Sequence, residues 1–501
     1  MVEVERSTAG NSPWVTLVVL SSLGLITMYG ETMVLPAIPD FIKDFSISYS
    51  TSSWILSSYL IAGAVMTPIA GKLSDTHGKK RVMLAVMSVY AAGILLGGFS
   101  NSIGMLLVAR VMQGVGMSMF PIAFGIIREI LPEKKLAVGQ TIFSSTFSGG
   151  AVVGLIAGAS IIQNFGWQAT FFTIFPIAVG LGLVIRKIVR VRSDEQKSKT
   201  GHGGSQFIDL KGTLALATTI VSFLGGLSSL ESSGPGGGQT ALALFAVAAV
   251  ALAAFIMVEK RVRWPLVDLK LMTNRMLLPA MVILMVVFLC IFMVYQTIPI
   301  MVRSPKPLGF GGDAVVTAGV QLPFMVVLLI GTVTSGFAIN RVGNIRLVAI
   351  GTIISTAGFF SLLLFHSTEF MVSAALAVIA AGLSLSISGC FNVVLLSAPI
   401  QSTGIALGMT LLLNLIGMSI GPSIAGLYQQ INQGSVPGVP GTFPNQAAYN
   451  LIFLTAAIVS MVSVALALAL GRIRSKSVMP AVSADWNRNP EEHDGKTGGP
   501  Q

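Results

Sequence analysis

Hydrophobic residues run along this chain in blocks of about 20, each long enough at ~1.5 Å rise per residue to cross a bilayer as a helix. Polar and charged residues gather in the breaks between the blocks. By that ruler fourteen spans are expected, at 14–38, 52–73, 82–100, 103–127, 137–160, 168–189, 211–230, 240–258, 276–300, 314–338, 346–366, 370–395, 404–428 and 447–471. Few polar residues interrupt 52–73 and 346–366, whereas 211–230 and 240–258 are nearly featureless runs of Ala, Leu, Val and Gly. The expected fold class is an all-α polytopic membrane protein.

The breaks are unequal. Residues 190–210 mix Arg, Lys, Gly, Ser, Asp and Glu without a sustained apolar period and divide the chain after the sixth span. The expected organisation is a tail at 1–13, six spans over 14–189, a linker at 190–210 and a further span pair over 211–258. A second linker at 259–275, six spans over 276–471 and a polar tail at 472–501 complete it. Between the thirteenth and fourteenth spans, Pro437, Pro440 and Pro444 forbid a regular helix. The first apolar stretch continues to about Ile38 and has no small-residue cleavage site behind a short hydrophobic core, so it is expected to persist as a span.

Composition narrows the class. The 501 residues are 53% hydrophobic and only 10% charged, with mean hydropathy +0.81, where a soluble surface needs roughly 25% charged residues. The net charge of +11 comes from bases lying between apolar runs and not interleaved with aromatics, the pattern of membrane anchors rather than of nucleic-acid binding. Of the 31 Lys and Arg residues, Lys43, Arg303 and Lys306 would be external if the N-terminus is cytoplasmic, and Arg110 lies within a span. The other 27 fall on the cytoplasmic side, an asymmetry that places both termini inside the cell. The expected partners are the lipid bilayer and a small-molecule substrate, with no nucleic acid, and the expected state is a monomer.

Enzyme chemistry finds no footing. Cys290 and Cys390 each lie inside an apolar span and read as small core residues, without a disulfide framework or thiolate metal site. His77, His202, His366 and His493 are dispersed and have no metal-ligand spacing. The glycine runs at 201–204 and 234–238 lack the strand, lysine and hydroxyl of a phosphate loop. No metal and no cofactor are expected.

The informative residues are the polar ones inside spans. Glu31, in Tyr29-Gly30-Glu31-Thr32-Met33, would be costly as an ion in lipid and should face a cavity, pair with a cation or bind a proton. Arg110 is its natural partner, because both fall roughly five residues, or ~7 to 8 Å, outside their helix midpoints. An ion pair, a shared water network, or an arginine pinned statically to backbone carbonyls would each satisfy them. Candidate cavity groups are Trp54, Tyr59, Gln113, Phe120, Tyr295, Gln296, Asn392 and Asn414, since rings can pack an apolar or cationic solute and amides need partners in a dry bundle. Gly150, Gly154 and Gly158 mark one close-packed face of the fifth span, and Gly417, Gly421 and Pro422 a similar face and bend in the thirteenth.

Two loops resemble each other. The second and third spans are joined by Gly71-Lys72-Leu73-Ser74-Asp75-Thr76-His77-Gly78-Lys79-Lys80-Arg81, and the tenth and eleventh by Gly336-Phe337-Ala338-Ile339-Asn340-Arg341-Val342-Gly343-Asn344-Ile345-Arg346. Gly71 and Gly78 suit tight contacts, and Asp75 can accept bonds from basic groups or helix amides. The second copy has Asn340 in place of Asp75, which weakens any electrostatic latch there. Related loops after corresponding span pairs favour two parallel halves about a pseudo-two-fold axis.

With the 71–81 loop, the Arg110-Val111-Met112-Gln113-Gly114-Val115-Gly116 segment and the Trp167-Gln168-Ala169-Thr170-Phe171 start of the sixth span, the chain resembles the major facilitator superfamily over residues 14–471. Its fourteen spans are similar to the drug:proton antiporter branch. The resemblance implies two six-helix bundles alternating access to a central cavity, with spans seven and eight as an additional pair. It implies export of small amphipathic or lipophilic compounds driven by a proton gradient, with Glu31 binding the proton and Arg110 relaying the change. The 71–81 loop, with Asp75 and Lys79 through Arg81, would close the cytoplasmic side, echoed by Asn340, Arg341 and Gly343. The branch usually has aspartate where Glu31 stands, and a proline and a second glycine where Leu155 and Ala157 stand. An importer or uniporter of a metabolite, peptide-like solute or lipid, and a membrane receptor, remain alternative expectations.

Overall fold

The computed structural model describes residues 13–189, 191, 210–230, 237–262, 269–398 and 403–476, with some side chains inside helices left aside. Helices stand at all fourteen expected places. They are α1 Pro13–Thr32, α2 Tyr49–His77, α3 Lys79–Gly98, α4 Ile103–Val115 resuming as Met119–Ile130, α5 Glu133–Phe165, α6 Trp167–Ile188 and α7 Leu210–Ser229. The chain continues with α8 Gly237–Arg261, α9 Leu277–Arg303, α10 Ala314–Val342, α11 Asn344–Leu364, α12 Glu369–Ser397, α13 Thr403–Ile431 and α14 Gln446–Lys476. Among the described residues 13 helices are long and apolar enough to cross a membrane, α7 offering only the shorter apolar stretch Lys211–Leu227. The chain is a multi-pass integral membrane protein. Of the expected linkers and tails, 192–209, 263–268, 1–12 and 477–501 lie outside the described residues.

Helix ends follow local chemistry. Ser48 and Asp313 cap α2 and α10 by accepting from the amides of Thr51 at 3.0 Å and Val316 at 2.9 Å, meeting donors that a first turn leaves orphaned. At Gly78, Gly166 and Gly343 the backbone takes φ of 99°, 78° and 85°, and each single residue ends one helix and starts the next. Side chains rarely adopt that conformation. After α1 the chain tightens into a 3-10 turn at Leu35–Ala37 containing Pro36 and goes on as a short helix, Ile38–Asp44. In the thirteenth connection, β1 Gln433–Val436 and β2 Val439–Pro444 form an antiparallel hairpin.

Packing shows the internal repeat directly. In the first half α1 packs on α5 and α6, α2 on α4, and α3 on α4 and α6. Moved eight helices along, each of these contacts recurs: α9 on α13 and α14, α10 on α12, and α11 on α12 and α14. The two halves meet along two seams, α2 against α13 and α5 against α10, which exchange under the same shift. α7 and α8 lie outside the repeat. They pack on each other, and α7 rests against both α2 and α13, across one seam.

Glycine makes the corresponding contacts close. A methyl group at Gly150, Gly154 or Gly158 would stand 2.8, 2.7 or 2.7 Å from the Cα atoms of Leu25, Tyr29 and Met33, so α1 lies against the bare face of α5. Thr32 Oγ1 adds a bond to the Ala151 carbonyl at 3.1 Å. In the second half Gly417 and Gly421 play the same part, a methyl group there falling 3.0 Å from the Met285 carbonyl carbon and 2.8 Å from the Met293 amide nitrogen of α9. Pro422 follows Gly421 inside α13.

The described hydrogen bonds between the halves lie toward the end of the bundle that carries the hairpin. Ser57 Oγ donates to the Ser419 carbonyl at 2.8 Å, Gln296 Nε2 to Ser52 Oγ at 3.2 Å, the Tyr49 amide to Gln430 Oε1 at 3.1 Å, and the Tyr49 hydroxyl to the Thr442 carbonyl of the hairpin at 3.0 Å. We expect Gly154→Leu to lose about 1–3 kcal/mol of stability by overpacking α1 against α5, seen as a lower thermal midpoint in detergent. Gly149→Ala, where an added methyl meets nothing within 4 Å, should leave the midpoint unchanged or raise it, since alanine is the better helix former.

Candidate functional site

The site grows from the crossing of α2 and α4. Ile55 and Tyr59 share a face of α2, and Arg110 and Gly114 share a face of α4, each pair one turn apart. A methyl group on Gly114 would stand 2.9 Å from the Tyr59 carbonyl carbon, so this glycine lets the helices touch. One turn away the Arg110 side chain, fully buried, then lies inside the bundle with its guanidinium carbon 4.5 Å from the centre of the Tyr59 ring.

A buried guanidinium must be satisfied by hydrogen bonds, and here carbonyls and an amide supply them. Arg110 Nε donates to the Ile55 carbonyl at 3.0 Å, and Nη1 to the Gly30 carbonyl at 3.3 Å and to Gln113 Oε1 at 2.9 Å. Gln113 Nε2 donates onward to the Gly93 carbonyl at 3.0 Å. One arginine thereby ties α4 to α1 and α2, and through Gln113 to α3. Gln113, expected as a solute contact, is committed to this network.

Glu31 follows Gly30 on α1 and is 4% exposed. Its carboxylate is within electrostatic reach of Arg110, of Tyr59 and Tyr90, and of Tyr295 from the opposite half. The ion pair open to the two residues from sequence is not formed: the described pairs are Lys79–Glu129 and Arg303–Asp40. Instead Glu31 Oε2, Arg110 Nη2 and the Tyr59 hydroxyl are all buried without a hydrogen-bond partner. Such orphans in one region leave room for a bridging water or for a changed side-chain arrangement.

In the opposite half, α9 and its neighbours bury amides. Gln296, Gln321 and Gln429 are fully buried; their Nε2 atoms reach Ser52, the Tyr295 carbonyl and Thr297, while all three Oε1 atoms lack partners, as does Oδ1 of the buried Asn414. Gln321 escaped the sequence reading, although an amide inside an apolar run is the same signal that marked Gln296, and Gln429 fell in the polar connection expected after the thirteenth span. Tyr295 packs between Phe292 and Phe324 at ring distances of 5.8 and 5.9 Å and directs its hydroxyl to Met325 Sδ at 3.5 Å.

Phe120 is buried in a ring cluster with Phe147 and Phe143, Trp54 is half-buried, and Asn392 donates within its own helix to the Ser388 carbonyl at 2.9 Å. None of the candidates lines the apolar recess of about 240 Å³ between α10 and α12, bordered by Val327, Ile330, Gly331, Ala381, Ser384 and Leu385.

Of the loop residues, Gly78 and Gly343 make the single-residue reversals. Gly71 and Gly336 sit inside α2 and α10 with nothing within 4 Å of an added methyl, so the tight contact expected at Gly71 is not there. The side chains of Asp75 and Asn340 lie outside the described residues. Lys79 runs along Gly125 and pairs with Glu129 at the end of α4, whereas Lys80 is half-buried and Arg81 and Arg341 are exposed. A second ion pair was not foreseen: Arg303, at the end of α9, grips Asp40 with both Nη atoms at 2.5 and 2.6 Å and the Pro36 carbonyl at 3.1 Å. It clasps one half to the other at the hairpin end.

A two-fold bundle of long apolar helices that buries a carboxylate, a guanidinium and amides with unpaired oxygens has the architecture of a membrane transporter. The chain belongs to the Major Facilitator Superfamily, whose sequence model matches residues 20–422, and is a transporter rather than an enzyme. It is 27% identical over 450 residues to the tetracenomycin C resistance and export protein of Streptomyces glaucescens, covering 87% of this chain and 81% of that one. It is 27% identical over 314 residues to multidrug resistance protein 3 of Bacillus subtilis (strain 168), covering 62% and 59% of the two chains. Among solved structures, the nucleoside transporter NupG superposes with TM-score 0.62 at 12% identity over 92% of this chain and 100% of its own. An auto-inhibited POT family peptide transporter does so with TM-score 0.60 at 15% identity over 91% and 97%, and these two likenesses concern the fold alone.

We expect Asp40→Asn to loosen the hairpin end while costing less than about 1 kcal/mol of overall stability, as for part-exposed ion pairs generally. A Ser50→Cys reporter, at a side chain that is 2% exposed, should react several-fold faster with a membrane-impermeant maleimide when Asp40→Asn is added. An unchanged rate would show that the clasp does not hold that end shut.

Proposed function

We propose that the chain is a proton-coupled secondary exporter of small amphipathic or lipophilic compounds that works by alternating access. The observation that carries this reading is Glu31: a carboxylate 4% exposed, with an unpaired oxygen, beside a buried arginine and within reach of the opposite half. Gaining or losing a proton changes both the desolvation cost of that group and its attraction to Arg110. Because Arg110 is bonded to α1 and α2, and α2 is bonded across the seam to α13, the change acts on helices that must move if the halves rock. A difference of this kind biases a two-state equilibrium.

Export is supported by the relatives named for tetracenomycin C resistance and export and for multidrug resistance. The buried rings and unpaired amides around Tyr295 suit a solute with an apolar body and a few donor groups. In this reading the protein sits in the cell membrane with both termini cytoplasmic, on the charge asymmetry of 27 bases to three. The hairpin end is then external, and the clasp and seam bonds describe a state closed to the outside. Substrate and protons use one pathway in turn, and no bound cofactor is required.

Leu155, fully buried in an α5 without an internal proline, favours a second reading, an importer or uniporter of a metabolite, peptide-like solute or lipid. Vesicle transport under independently imposed proton and electrical gradients separates the two, since uptake without opposing proton flux supports only the second. For the first, reconstituted wild type should show proton flux that depends on an added lipophilic dye, and Glu31→Gln should abolish it at least tenfold. Undiminished coupled flux in Glu31→Gln would remove the assigned role.

A further inference from the structure

We propose that Tyr59 is a positioning residue of the proton site: its ring seats the Arg110 guanidinium, and its buried hydroxyl serves Glu31 as a hydrogen-bond donor whenever that carboxylate is ionised. The inference rests on the proton-coupled reading above and assigns a role to a residue first expected to touch the solute.

The geometry is specific. The ring lies 4.5 Å below the guanidinium carbon, a cation–π seat that is worth more when dry than in water. Tyr59 is 1% exposed, and its hydroxyl has no partner, although buried tyrosine hydroxyls ordinarily find one. Glu31 is within electrostatic reach of both Tyr59 and Arg110, and the polar atoms that the three residues leave orphaned are complementary. Arg110 Nη2 and the Tyr59 hydroxyl can donate, and Glu31 Oε2 can accept. A protonated carboxyl carries its own donor and can leave both neighbours idle, as the structure shows them. An ionised carboxylate accepts only, and bonds to it are the stronger kind, so it would draw on both donors.

The other groups near Glu31 do not offer this service. The Tyr90 hydroxyl of α3 already donates to the Ile26 carbonyl at 3.1 Å, and the Tyr295 hydroxyl of α9 to Met325 Sδ at 3.5 Å. Tyr29 is on the same helix as Glu31. α5 between Ser145 and Gln163, and α6 between Trp167 and Val184, carry no titratable residue. Removing the Tyr59 hydroxyl therefore takes one of two free donors from the ionised form only.

The test follows the carboxylic-acid carbonyl band of the full-length protein in lipid by infrared pH titration, assigned by its loss in Glu31→Gln. Tyr59→Phe keeps the ring and deletes only an unpaired hydroxyl, so thermal stability should be unchanged or higher. Its titration midpoint should move to higher pH by about one unit, the tenfold equivalent of one charge-assisted hydrogen bond. Tyr59→Leu, which also loses the seat for Arg110, should shift it further. An unmoved midpoint in Tyr59→Phe, with the Glu31 band still titrating, overturns the role of Tyr59 and leaves the exporter reading standing. A wild type with no Glu31-dependent band that titrates sinks both.

Discussion

A guanidinium in the middle of a membrane protein dictates much of what surrounds it. Arg110 cannot stay in hydrocarbon unpaired, and the chain meets that demand with two backbone carbonyls, one amide and one aromatic ring rather than with a carboxylate. Carbonyls of neighbouring helices are reachable only where backbones come close, which is why Gly114 stands beside the Tyr59 backbone. The result is a junction at which four helices are referred to one cation. Glu31 is left adjacent but unbonded, free to change its protonation without first giving up an ion pair.

The same economy of close approach runs through the bundle. Gly150, Gly154 and Gly158 against α1, and Gly417 and Gly421 against α9, give the two halves one packing scheme, so their seams are also equivalent by the internal repeat. What breaks the equivalence is chemistry. The first half carries the buried Glu31 and Arg110, and the second the buried amides with unpaired oxygens. α7 leans across only the α2–α13 seam, leaving the α5–α10 seam as the one without an added helix among the described contacts.

Much of this was readable in the linear pattern. Each span had to be a helix because lipid offers no partner for exposed backbone groups, and a block of about 20 apolar residues has no other way across. The repeat was legible in Gly78 and Gly343, because a one-residue reversal between helices requires a positive φ. Glu31 and Arg110 stood out since charge inside an apolar run is rare. The glycine face of α5 was legible from its four-residue spacing, whereas Gly71 was given a tight contact that its position inside a long helix does not make.

Sequence thus determined the helices, the two-fold plan and which charges lie within the membrane, because those follow from a chain's need to satisfy its own backbone and hide its apolar faces. Only the tertiary structure decided what each charge touches. Arg110 bonds to the carbonyls of Ile55 and Gly30, and every residue owns a carbonyl, so nothing in the pattern points to those two. Arg303 read only as an external base, and Asp40 carried no signal, until the fold brought α9 beside the continuation of α1, and Tyr59 became the seat of a cation because two helices cross there. Such partnerships depend on distances set by packing between segments far apart in the chain, a quantity that residue order alone does not contain.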